Sequence, residues 1–265
     1  MNAAPRETVV EVRGLRNQFG SQVVHQNLDI DLHAGEILGV VGGSGTGKSV
    51  LLRTIAGLHR PNEGEIRLLG VDVLRCSEQE LEDVSQCVGV MFQDGALFSS
   101  LTVCENVEVP LAAIEGLDRV TREHLARLKI SMAGLPWIAG DKYPSELSGG
   151  MRKRAGLARA LALDPDVVFL DEPTAGLDPI GASEFDELIR SLSDTMGLAV
   201  FLVTHDLDTL YATCDRIAVL AEKHVLATGT LDEMLDVDHP WVQSYFRGPR
   251  ARAARGEIEA GGRAR

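Results

Sequence analysis

The chain has 265 residues, 45% of them hydrophobic and 25% charged, a globular composition with room for one large domain or two small ones. A net charge of −13 argues against a nucleic-acid partner, since phosphate contacts need a basic face. No apolar run approaches the roughly 18 residues that span a bilayer, and no apolar signal core follows Met1–Ala4, so the chain is expected on the cytosolic side.

In chain order, Thr8–Val12 alternates as a strand does, and Leu28–Leu32 alternates likewise beyond a turn at Gly20–Ser21. Ile37–Val41 is continuously apolar, as in a strand buried on both faces. It runs into Gly42–Ser49, and a helix is expected over Val50–Leu58. Glu65–Leu69 is a further strand. Ser77–Ser85 is a helix with Ser77 as N-cap and Glu80 at the capping-box position. A short strand over Cys87–Phe92 ends at Gln93.

From Val103 to Ala162 the pattern is mostly helical, interrupted at Gly134–Pro136 and at Pro144. Val167–Leu170 is a second wholly apolar strand, closed by Asp171–Glu172. A helix at Ser183–Met196 precedes a strand at Ala199–Val203 that ends in Thr204–His205. Leu207–Thr213 is helical, and Arg216–Leu220 and Val225–Ala227 are closing strands. Alternating strands and helices around a helix-only block imply an α/β core with an inserted helical subdomain at about 94–165. Cys76, Cys87, Cys104 and Cys214 form no C-x-x-C pair, so they predict free thiols rather than a zinc or redox site.

Gly42-Gly43-Ser44-Gly45-Thr46-Gly47-Lys48-Ser49 matches G-x-x-x-x-G-K-[ST] in full. Its glycines let successive N–H groups curl inward around phosphates, and the helix that follows adds its positive end. Lys48 is expected on the β- and γ-phosphates of ATP and Ser49 on Mg²⁺. Asp171 and Glu172 stand where a parallel strand meets the ligand edge of its sheet. Asp171 is expected to hold Mg²⁺ and Glu172 to act as general base on water. Ser148-Gly149-Gly150 makes a second anion cradle at a helix start. One chain already has a complete phosphate loop, so the second cradle implies a partner.

Leu147-Ser148-Gly149-Gly150-Met151, just ahead of Val167–Glu172, resembles the signature of ABC ATPases, with Met in the last place. The resemblance covers residues 7 to about 235. It implies the P-loop ABC fold, α/β with a mostly parallel core sheet and an N-terminal antiparallel β subdomain, spanning residues 1–246. It implies a second copy paired head to tail, each ATP held between one phosphate loop and the other signature. It makes Gln93 a sensor of the γ-phosphate and Mg²⁺, and His205 a switch on the γ-phosphate. Ala175–Asp178 resembles the loop joining the two sites. Phe19 stands where the family stacks an aromatic on adenine.

Asp94-Gly95-Ala96-Leu97-Phe98, Met151, Asp178-Pro179-Ile180, Trp241–Phe246 and Gly248-Pro249-Arg250 are similar to the Mla group of phospholipid-transport ATPases. That resemblance implies a membrane permease, a substrate-binding subunit of the MCE type, a small STAS-domain subunit, and a place on the cytoplasmic face of a bacterial inner membrane. The alternatives are an importer ATPase for a small polar solute and, more remotely, a non-transport ABC ATPase, whose second cassette or long heptad insertion this sequence lacks. Ala96, Leu97 and Phe98 are expected to meet the permease, Leu97 being equally suited to local core.

Trp241, Val242, Tyr245 and Phe246 give Pro240–Phe246 an amphipathic helical pattern, stopped by Gly248-Pro249. The pattern suits either packing on its own subunit or clasping a neighbour. Residues 247–265, with a net charge of +4 against −17 for the rest, form a basic tail without the apolar residues to fold alone.

Overall fold

Two sheets of different character meet around one helix. The structure, a computed structural model, describes residues 6–248 and residue 251; the predicted basic tail otherwise lies outside the described residues, as do Pro249 and Arg250. β1 (Thr8–Phe19) and β2 (Gln22–His33) form an antiparallel hairpin through Gly20–Ser21. With β4 (Glu63–Leu68) and β5 (Val71–Asp72) they make a four-stranded sheet of order β2-β1-β4-β5. The hairpin strands run longer than the alternation predicted. Pairing shifts register between Val12 and Leu15, where Gly14 has φ 58°, so the inside–outside pattern is broken without ending the strand.

The second sheet holds β3 (Ile37–Val41), β6 (Val88–Met91), β7 (Val167–Asp171), β8 (Ala199–Val203), β9 (Arg216–Ala221) and β10 (His224–Gly229) in the order β10-β9-β3-β8-β7-β6. All neighbours pair in parallel except β10 with β9. β3, β7 and β8 are buried at every position, which is why their sequences run apolar without alternation. Alternate residues feed two different cores. Val167 and Phe169 face the antiparallel sheet and α1 (Lys48–Ile55), while Val168 and Leu170 face the helices of the inserted block.

That block contains α3 (Val103–Leu111), α4 (Arg119–Met132) and α5 (Gly149–Ala160). It breaks once more than predicted, between α3 and α4, where Asp118 accepts from the N–H groups of Val120 and Thr121 and restarts the helix. α2 (Glu78–Gln86) carries the predicted Ser77–Glu80 capping box. α6 (Pro179–Met196) starts ahead of the expected Ser183, because Asp178 caps Gly181 N–H and Pro179 fits the first turn. α7 (Leu207–Thr213) lies where expected. α8 (Leu231–Asp236) was not expected, although Thr230 and Glu233 spell a capping box. No helix among the described residues is long and apolar enough to cross a membrane.

α9 (Pro240–Arg247) packs on its own chain, with Val242 and Phe246 buried against Leu210, Ile217 and Met234. Val242 and Phe246 are thus spent internally, while Trp241 and Tyr245 stay partly exposed. Gly248 has φ −64°, so it does not supply the left-handed cap that a glycine stop implied.

Candidate active site

The adjacent strands β3, β8, β7 and β6 deliver four segments to one carboxyl edge: Gly42–Ser49, Thr204–His205, Asp171–Glu172 and Gln93. Register explains the convergence, because Asp171 pairs opposite Val203 and Val40 lies opposite the same residue on the other side.

The phosphate loop closes tightly on its own chain. Gly47 has φ 94°, and a Cβ there would lie 2.4 Å from Val24 Cγ1 and 2.6 Å from His25 Nε2. A Cβ on Gly42 would lie 2.3 Å from the Leu220 carbonyl oxygen. Only glycine fits either place. Thr46 Oγ1 donates to the Gly43 carbonyl at 2.9 Å, pinning the turn across Ser44 and Gly45. Lys48 Nζ donates to the carbonyls of Gly42 (2.8 Å) and Gly43 (3.2 Å), so its ammonium lies folded over the loop. Burial lowers the Lys48 pKa, opposed by the charges of Glu172 and Asp171.

Ser49 Oγ donates to Asp171 Oδ1 at 2.9 Å, bringing together two oxygen donors from positions far apart in sequence. Hard oxygen groups beside a phosphate cradle are what Mg²⁺ takes. Glu172 adopts φ 51°, a left-handed backbone unusual for a branched or long side chain. That turn swings its carboxylate off the strand line to His205, whose Nδ1 lies 2.8 Å from it. A carboxylate only accepts, so the imidazole donates from Nδ1. Gln93 lies beyond the end of β6 with its side chain exposed.

Phe19 ends β1 with 46% of its surface exposed. Its ring stacks on His59 with centroids 4.9 Å apart, leaving an aromatic shelf near the loop helix. Ser148 caps α5, accepting from Met151 N–H at 3.2 Å. Ser148 and Gly149 are exposed, whereas Met151 is half-buried and packs into the core beneath the inserted helices. The variant last residue of the signature is thus a core anchor. Leu97 also packs against that core, while Phe98 is 51% exposed.

Several neighbours of these residues had no sequence signal. Lys153 Nζ donates to the carbonyls of Gln93 and Glu172. Tyr245 Oη donates to the His205 carbonyl at 3.0 Å, and the Tyr245 ring stacks on Trp241. His25 supports the loop from beneath, its Nδ1 accepting from Asn17 Nδ2 at 3.0 Å.

A model of the ABC transporter family matches residues 25–175. The chain is 38% identical over 248 residues to the probable ribonucleotide transport ATP-binding protein mkl of Mycobacterium leprae, covering 93% of this chain and 71% of that one. It is 36% identical over 242 residues to the intermembrane phospholipid transport system ATP-binding protein MlaF of Haemophilus influenzae, covering 91% of each. Among solved structures it resembles a dimeric ATP-binding cassette in a post-hydrolysis state bound to ADP and Pi, with a TM-score of 0.77, 29% identity, and coverage of 83% of this chain and 98% of that one.

Proposed function

The chain belongs to the ABC transporter family as an ATP-hydrolysing, Mg²⁺-using subunit, and we propose that the cargo it powers is phospholipid moved between inner and outer membranes. The observation that carries this reading is similarity to a phospholipid-transport ATPase over 91% of both chains. Asp94–Phe98 supports it, being the segment that resembles that group and that would face a permease. Phe98, Val109, Pro110 and Leu163 line an apolar groove of about 360 Å³ beside Val88 and Val90, a shape that suits an inserted permease helix.

In the proposed chemistry, ATP phosphates enter the Gly42–Ser49 loop and Lys48 exchanges its two carbonyl partners for phosphate oxygens. Ser49 and Asp171 would hold Mg²⁺, with Gln93 facing it, and the bound ion would supply charge neutralisation on the phosphates. Glu172 takes a proton from water as the water oxygen bonds to the γ-phosphorus and the bond to the β–γ bridging oxygen breaks, releasing ADP and phosphate. His205 holds the Glu172 carboxylate in place through Nδ1. Phe19 stacks on adenine. A second copy, paired head to tail, brings Ser148, Gly149 and Gly150 onto the same nucleotide. The partners are a permease, an MCE-type substrate-binding subunit and a STAS-domain subunit, with this chain on the cytoplasmic face of the inner membrane.

Affinity capture of the tagged full chain from detergent-solubilised membranes tests this. A permease recovered with an MCE-type subunit and bound phospholipid is the expected result. Recovery with a soluble solute-binding protein overturns it and favours small-solute import.

A further inference from the structure

Lys153 lies one turn into α5, the helix whose N-terminus is capped by Ser148. Its side chain is buried, with 7% of its surface exposed. Burying an ammonium is costly unless its N–H groups are satisfied. Here Nζ donates to the Gln93 carbonyl at 2.8 Å and to the Glu172 carbonyl at 2.9 Å. No salt bridge holds this group among the described residues; two backbone carbonyls do.

Those carbonyls have a common origin. β6 and β7 pair as far as Met91 opposite Leu170, and the chain then leaves the ladder on both strands. Gln93 and Glu172 stand just past that point; the Glu172 carbonyl keeps a long bond from Ala175 N–H at 3.3 Å, and Lys153 supplies the shorter donor to it and the donor to Gln93. Glu172 also holds a left-handed backbone, which is strained for a non-glycine residue and persists only where surrounding groups fix it. Its N–H is fixed by the Val203 carbonyl at 2.8 Å and its carbonyl by Lys153, so both ends of the strained residue are tied.

We propose that Lys153 is a positioning residue that links the helix reading one nucleotide to the general base and sensor acting on the other. The inference rests on the head-to-tail pairing proposed above. In such a pair Ser148–Gly150 at the start of α5 touch the neighbour's ATP, while Lys153 on the same helix grips the backbone of Gln93 and Glu172 in its own site. A displacement of α5 by one ATP moves the ammonium, and with it the φ/ψ state of Glu172 and the reach of its carboxylate. Apolar filling of the same space would pack α5 but transmit nothing directional to the two carbonyls.

The test uses the purified full chain with ATP and Mg²⁺, comparing wild type with Lys153→Met and Lys153→Arg. Lys153→Met is expected to lower kcat by about tenfold or more, because small misplacements of a catalytic group are costly. KM for ATP should stay within about twofold, and the Hill coefficient should fall toward one. Lys153→Arg, which keeps charge and donors, should recover most of both. Should Lys153→Met fail to fold, Lys153→Gln replaces it, removing the charge and shortening the reach to the two carbonyls, with the same expectations. A wild type that hydrolyses cooperatively together with a folded variant equal to it in kcat and Hill coefficient overturns the inference. A wild type with no cooperativity overturns the pairing itself, and the inference with it. Loss of melting temperature alone, with kcat intact well below melting, marks Lys153 as mere packing and also overturns it.

Discussion

The phosphate loop and the start of α5 are both glycine-bearing turns that open helices, but the chain completes only one of them. Around the loop, would-be Cβ atoms on Gly42 and Gly47 collide with Leu220 and Val24. Lys48 and Ser49 already have partners within the chain. Around the signature, nothing lies within 4 Å of a Cβ built on Gly149. Ser148 is exposed and spends its hydroxyl on a cap. Gly42 and Gly47 are thus required by this chain's own packing. A requirement for glycine at position 149 must come from outside it, which is what half of a shared site looks like.

The largest effect expected is at the completed half. Glu172→Gln keeps the shape and the backbone ties but removes the proton acceptor, and general-base loss costs about 10²–10⁴-fold in turnover. Nucleotide binding should persist, and the stalled protein should accumulate as an ATP-bound dimer on sizing chromatography. A variant that hydrolyses normally removes Glu172 from the mechanism.

The comparison itself is sharpened by two alanines. Gly47→Ala puts a side chain at φ 94° into Val24 and His25, so it should lower the melting temperature and abolish ATP binding together. Gly149→Ala enters open space at the first residue of α5, where a Cβ meets no neighbour. It should melt no lower than wild type and bind ATP equally as a monomer, yet form less ATP-dependent dimer and turn over more slowly. Calorimetry and sizing chromatography read both. Equal dimerisation of Gly149→Ala and wild type places the shared half elsewhere.

What the sequence made legible follows the same division. Ile37–Val41, Val167–Leu170 and Ala199–Val203 were readable as buried strands because burial on both faces removes alternation. Gly42–Ser49 was readable from its motif and Asp171–Glu172 from the rule that parallel strands deliver ligands to one edge, whereas the role of His205 came only from the family resemblance. Lys153, Tyr245 and His25 were not readable, because each acts through backbone or neighbours brought close by tertiary packing. α9 marks the boundary. Its amphipathic pattern was visible, but which surface it buries depends on Leu210, Ile217 and Met234, and periodicity carries no address. α8 carries a legible signal as well, since Thr230 and Glu233 spell a capping box.

The smallest net effect expected concerns pH, because two buried groups oppose each other. Burial pushes the His25 pKa down to about 4, so this imidazole stays neutral in the fold. The unfolded chain protonates it near 6.5, and its contribution to stability is therefore lost as pH falls from about 6.5 toward 4. Burial pushes Asp186 the other way, up to about 7, despite the Thr209 hydroxyl donating to its Oδ2 at 2.9 Å. The unfolded chain ionises it near 3.9, so its contribution is present at low pH and lost as pH rises through about 7. The two windows overlap with opposite slopes, each at most about 1.4 kcal/mol per pH unit, and largely cancel in the wild type. Asp186→Asn should leave stability rising more steeply with pH between 5 and 7 than in wild type, and His25→Gln should leave it rising less steeply or falling. Urea unfolding of the three proteins at pH 5, 6 and 7 measures this, and parallel curves would remove both groups from the pH dependence of the fold.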